Sequence, residues 1–320
     1  MIHWFRTLIL ALSTVAAVLG APAVARDSAR AERQASEAAS QPSAGQADSG
    51  TAAVPVRPAL WKVSDEDTTI YLFGTIHVLP AKVDWFEGKI ATAFEQSDVL
   101  VTEIVETDNA KMQALVLQKA LLPADQSLRA LLSDEERAAY EAALGQYSIP
   151  AVMLDRFEPW YAAVALSTLP LLKDGFASEN GVETTLDARA IARKMPHTAL
   201  ETPEYQLDLF DNLPADVQHA YLAEVIEQLP HLKQELGQMV EAWKRGDPAR
   251  LAELMNAEES NPVLLKTLLT DRNKAWATWI HARLAQPGTV FLAVGAGHLG
   301  GPGSVQEQLG ARAIAVERLQ

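Results

Sequence analysis

Two short stretches carry apolar residues on both alternating faces: Ile70-Tyr71-Leu72-Phe73 and Val290 to Val294. A strand with one wet face alternates apolar and polar residues, so these two runs predict central strands covered on both sides. Trp61-Lys62-Val63 precedes the first run, and Asp65-Glu66-Asp67 lies between them, which predicts a hairpin running into Thr69–Thr75. Val99 to Val105 is a further strand candidate, His197 to Glu201 a short one, and Ala313 to Val316 a plausible last strand.

Most of the remaining chain repeats its apolar positions at helical spacing. Asp84 with Glu87 predicts a capping box ahead of Phe86, Ile90 and Phe94, and Ser133 with Glu136 predicts a second. Pro159 stands where a helix accepts proline in its first turn. Asn180, Gly181 and Glu183 open a helix running to about Lys194, with Glu183 read as part of its capping, and Pro203 opens another. From 214 to 286 the pattern is one of successive helices, punctuated by Pro230, Gly246-Asp247-Pro248 and Asn261-Pro262. The expected fold class is α/β: a mixed central β-sheet covered by helices, with a long helical insertion between the N- and C-terminal strands.

The ends of the chain differ in kind. Residues 1–25 hold Arg6, an apolar run from about Thr7 to Leu19, and Ala23-Val24-Ala25, the pattern of a Sec-type signal peptide. The run is shorter than the roughly 20 residues a membrane span needs. Residues 26–56 are rich in Ala, Ser, Gln, Gly and Asp and predict a disordered linker. The expected organisation is therefore export to the periplasm or beyond, no membrane insertion after cleavage, and a single domain over 57–320. A formal net charge of −14 argues against a nucleic-acid partner. The absence of cysteine removes thiolate chemistry and disulfides.

The candidate chemistry follows the two central strands. Gly74-Thr75-Ile76-His77 and Gly295-Ala296-Gly297-His298 are both G-x-x-H turns placed directly after an apolar strand. Ligands of helix-covered sheets bind outside the carboxyl ends of the strands, so the two imidazoles can face one crevice. Glu103 continues the buried run Val99-Leu100-Val101-Thr102 and is costly to bury without a partner or a cation. His77, His298 and Glu103 are thus candidate ligands of a divalent metal, and an N/O donor set suits Zn, Mn or Co. Such a metal activates bound water for hydrolysis, with Glu103 either third ligand or general base. No G-x-S-x-G elbow, P-loop or dinucleotide glycine motif is present.

These segments resemble the TraB/GumN family, which is related to the Tiki metalloproteases and more distantly to erythromycin-esterase-like proteins. The resemblance rests on GTIHV at 74–78, Glu103 and VGAGHLGG at 294–301. It is supported by Glu158-Pro159-Trp160, Gly181-Val182-Glu183, Leu200-Glu201-Thr202 with Gln206, and Arg272-Asn273 with Trp276. It implies a metal-dependent hydrolase cleaving a peptide or protein substrate, with His77, Glu103 and His298 as its essential residues. Arg272 is suited to stabilise a developing oxyanion or orient a substrate carboxylate. Glu201 is a candidate for the same crevice. Two other readings stand beside it: a non-catalytic protein that sequesters a peptide, and a metal-free, esterase-like hydrolase with histidine as general base.

Overall fold

The computed structural model describes residues 56–105, 108–256 and 261–320. The expected signal peptide and most of the expected linker lie outside these residues. The architecture is α/β. In chain order the strands are β1 (Leu60–Ser64), β2 (Thr68–Thr75), β3 (Leu79–Pro80), β4 (Val99–Thr102), β5 (Phe176–Ala177), β6 (His197–Ala199), β7 (Gly288–Gly295) and β8 (Glu317–Arg318). Six of them form one mixed sheet in the order β6-β4-β7-β2-β1-β8. The four strands β6, β4, β7 and β2 run parallel, and β1 lies antiparallel to both of its neighbours. The hairpin closes at Asp65, whose carboxylate accepts the Thr68 amide.

The double-faced strand pattern has a direct cause. Phe73, Leu100 and Phe291 belong to one core, with Ile90 and Phe94 of α1 (Gly88–Glu95). Ile70, Leu72, Val101, Val290 and Leu292 face the other way and pack on Trp276, Ala277 and Ile280. Helices therefore cover the sheet on both sides. Each fully buried Leu or Phe contributes roughly 1.5–3 kcal/mol relative to exposure, so a one-residue slip of register is strongly disfavoured.

The helical stretch continues with α2 (Asn109–Ala120), α3 (Leu128–Leu131), α4 (Asp134–Gln146), α5 (Pro159–Lys173), α6 (Val182–Arg193), α7 (Pro203–Asp211), α8 (Ala215–Gln228), α9 (Leu232–Lys244) and α10 (Pro248–Asn256). The capping box at Ser133 forms with Glu136, and Pro159 occupies the first turn of α5. After Asn261 the chain runs through α11 (Pro262–Leu264), a π-helical turn (Leu265–Thr270) and α12 (Asp271–Arg283). The last helix, α13 (Val305–Gly310), precedes β8. Among the described residues no helix is long and apolar enough to cross a membrane.

Several local expectations are corrected. The Asp84 capping box does not form: Trp85 is drawn into the core, stacked 5.4 Å from Phe73, and α1 starts at Gly88 without a side-chain cap bond. The last strand is not at 313–316. There Ala313 takes φ 58° and the Ile314 amide bonds back to Leu309, so pairing waits until Glu317 meets Lys62. The two short strands β3 and β5 were not anticipated; they form a separate antiparallel ladder.

Candidate functional site

The register levels four strand ends. Thr75 of β2 stands opposite Gly295 of β7, and Thr102 of β4 opposite both Ala293 of β7 and Ala199 of β6. The residues just beyond these ends are His77, His298, Glu103 and Glu201, so the parallel sheet delivers all four to one edge. The β4–β6 ladder runs on past the strands, with the Glu201 amide donating to the Glu103 carbonyl at 2.8 Å. The Thr102 hydroxyl donates to the Ile104 carbonyl at 2.7 Å, which turns the backbone where Glu103 projects.

Glu103, Arg272 and His298 are 5%, 2% and 4% exposed, and such burial demands that their polar groups be paired. Arg272 meets that demand completely. Its Nε donates to Glu201 Oε1 at 2.9 Å, and its Nη2 to Glu201 Oε2 at 2.8 Å and Glu103 Oε2 at 2.6 Å. Its Nη1 donates to the Leu268 carbonyl and to His298 Nε2, both at 3.2 Å. All five guanidinium N–H groups are thereby used. The Leu268 carbonyl belongs to the π-helical turn, a feature that often marks functional sites. Gln206 Nε2 bridges the same two carboxylates at 3.1 and 3.0 Å, and Trp276 Nε1 donates to Glu201 Oε1 at 2.9 Å.

The second oxygen of Glu103 accepts the Gly295 amide at 2.7 Å. Burial pushes the Glu103 carboxyl up, but the Arg272 charge, foremost, and the Gly295 amide outweigh it and hold its pKa at about 2. His298 is the converse. Burial and the adjacent Arg272 cation bring its pKa down to about 3. It is a neutral imidazole whose Nε2 accepts from Arg272 and whose Nδ1–H donates to Asn273 Oδ1 at 2.6 Å. Because it is neutral, its 4.0 Å approach to Glu103 is not an ion pair.

His77 is differently placed. It is 4% exposed, and its Nδ1 lies 2.7 Å from Glu183 Oε1 on the first turn of α6. Nδ1 is thus paired with the Glu183 carboxylate, whereas Nε2 has no hydrogen-bond partner among the described residues. Glu183 Oε2 and the Thr75 hydroxyl are buried and unpartnered in the same way. Burial pulls the His77 pKa down, but the Glu183 charge opposes this and leaves it raised above 6.5. Glu183 therefore serves His77 rather than the helix cap: the cap residue is Gly181, with no side-chain cap bond. Gly181 is required there. A Cβ at that position would stand 2.2 Å from the His77 carbonyl, while the Val182 amide bonds the Ile76 carbonyl at 3.1 Å.

The donor set does not match the expected metal. Glu103 has both oxygens engaged, and the His298 Nε2 lone pair faces a guanidinium rather than an open position. A cation would share this space with Arg272. As arranged, Glu103 and His298 do not present open donors to a divalent metal, whereas His77 Nε2 has none of its donor capacity engaged by the described residues.

The sequence-derived residues His77, Glu103, Glu201, Arg272 and His298 thus come together. Asn273, Gln206 and Trp276 were visible only as motif letters. A further relay had no signal: His197 Nδ1 lies 3.0 Å from Asp187 Oδ1 and its Nε2 lies 2.7 Å from the Thr102 hydroxyl, one residue before Glu103. Asp187 and Glu183 are four residues apart, so one face of α6 serves two histidines.

A helix-covered sheet with paired G-x-x-H turns, a buried carboxylate pair and an arginine clamp at its carboxyl edge defines the class. The TraB/PrgY/gumN family model matches residues 59–318, and the chain belongs to that family. It is 26% identical over 263 residues to an uncharacterized protein of Treponema pallidum (strain Nichols), covering 77% of this chain and 78% of that one. It is 25% identical over 240 residues to the uncharacterized protein YbaP of Escherichia coli (strain K12), covering 75% and 87%. No solved structure matches the chain.

Proposed function

We propose that this protein is an exported hydrolase of peptide or ester bonds in which His77 moves the proton. The observation that carries this reading is the buried, unpartnered Nε2 of His77, whose Nδ1 is held by Glu183. An unpaired buried polar atom costs about 1–3 kcal/mol, yet His77 Nε2 and the neighbouring Glu183 Oε2 lack hydrogen-bond partners among the described residues, while Nδ1 is held by Glu183 Oε1. By contrast, Arg272 has all its donors satisfied next to them. An unpartnered base nitrogen beside a fully paired arginine supports a reacting group at His77.

With Glu183 against Nδ1, His77 presents Nε2 as a base, an arrangement common to histidine general bases. In the proposed step Nε2 takes a proton from water, the water oxygen adds to the carbonyl carbon, and the same proton passes to the leaving nitrogen or oxygen as the bond to carbon breaks. Arg272 holds Glu103, Glu201 and His298 as a rigid floor. The family resemblance favours a metal-dependent form of the same hydrolysis. The unpartnered His77 Nε2 is the observation on its side, and the engaged lone pairs of Glu103 and His298 weigh against it.

The test is incubation of the purified protein with a peptide library and a panel of simple esters, read by mass spectrometry. New termini or free acids that disappear with His77→Asn support the reading. Products formed equally by His77→Asn, or peptides bound and returned intact, overturn it.

A further inference from the structure

We infer that the site at His77 and Glu183 takes a ligand carrying a protonated amino group close to the reacting bond. This rests on the reading of His77 as the reacting group and adds the chemical class of what it meets.

The unpaired atoms set the complement. Glu183 Oε2 is buried and can only accept, and His77 Nε2 accepts in the deprotonated form in which it acts as a base. A ligand that satisfies them must bring N–H or O–H donors. The two Glu183 oxygens divide their roles. Oε1 faces His77 Nδ1 at 2.7 Å, and Oε2 remains for the ligand.

The charge balance selects among donors. The five N–H groups of Arg272 are already consumed by Glu103, Glu201, His298 and the Leu268 carbonyl. Glu183 adds a third carboxylate, beside His77, with no cation of its own at Oε2. A ligand carboxylate or phosphate finds no free donor on Arg272 and meets the Glu183 charge unscreened in a site where His77 is 4% exposed. An ammonium group gains a charge-assisted bond at Glu183 Oε2 instead. The net charge of −14 pushes in the same direction at long range.

The experiment uses the full chain and three matched probes: alanyl-alanine amide (ammonium), N-acetyl-alanyl-alanine amide (neutral) and N-acetyl-alanyl-alanine (carboxylate). Binding is measured by calorimetry, with the His77 ring resonances as a local reporter. The ammonium probe is expected to bind at least about tenfold more tightly than either other probe and to move the His77 signals. In Glu183→Gln, whose fold is checked by circular dichroism, that preference collapses toward one. Equal or tighter binding of the carboxylate probe, no binding of any probe at millimolar concentration, or an unchanged preference in a folded Glu183→Gln overturns the inference. The wild-type comparison stands even where the variant does not fold. Probe selectivity without any turnover of library substrates leaves this inference intact and removes the hydrolase reading, so the two fail separately.

Discussion

Glu183 Oε1 lies 2.7 Å from His77 Nδ1, and this contact joins the first turn of α6 to the end of β2. It sets the protonation of the imidazole. Burial alone lowers the His77 pKa, and the Glu183 carboxylate reverses the shift. A base must be deprotonated, so activity is expected to fall as pH drops through the raised pKa, which lies above 6.5. In Glu183→Gln the opposing charge is gone and burial remains. The acidic limb then moves to lower pH, and so does the His77 titration followed by NMR. A limb that stays in place separates Glu183 from the imidazole.

The Gly181 position tests how that contact is built. Gly181→Ala places a methyl group against the His77 carbonyl, at 2.2 Å before any relaxation. Backbone must move, at a cost of about 1–3 kcal/mol, and activity falls with it. Gly145 in α4 has open space around its Cβ direction, so Gly145→Ala is expected to gain up to about 1 kcal/mol from helix propensity. Urea unfolding of the two variants gives the comparison.

Arg272 clamps two buried carboxylates. Arg272→Met leaves Glu103 and Glu201 without their cation and is expected to cost about 3–5 kcal/mol in unfolding free energy. Adding Glu103→Gln to Arg272→Met recovers part of that loss, because one uncompensated charge is removed. Strict additivity of the two changes contradicts the clamp.

How much of this was legible beforehand follows from what each residue type can announce alone. The doubly apolar faces of β2 and β7 placed the central strands, and the glycine turns behind them placed His77 and His298. Glu103 declared itself by following a buried run. Glu183 did not: at the start of a helix a glutamate is the ordinary capping residue, and only the fold brings the end of β2 to it. The same holds for His197, Asp187 and Thr102, which meet across β4, β6 and α6. Pairings of two-residue strands such as β3 with β5 carry no periodicity to read. The metal expectation came from ligand types, and spacing cannot locate the guanidinium that meets Glu103 and His298.

Acid stability has a defined sign. The Glu103 carboxyl has a folded pKa of about 2, against an ordinary value of 4.5. Its contribution is complete above 4.5 and is lost as pH falls toward 2. The urea midpoint of the wild type is expected to fall over this window. Glu103→Gln starts from a lower midpoint and falls less steeply. Parallel curves place the acid-sensitive group elsewhere.

The proposed hydrolysis runs on the His77 base, with the Arg272 guanidinium rather than a metal ion on the Glu103 and His298 lone pairs. The most direct measurement is product formation from the peptide and ester library after exhaustive chelator treatment, with zinc, manganese and cobalt added back in parallel. The expected result is that chelated wild type retains its rate, add-back changes it little, and His77→Asn loses about 100-fold or more. Activity abolished by the chelator and restored by one of the metals would contradict the account.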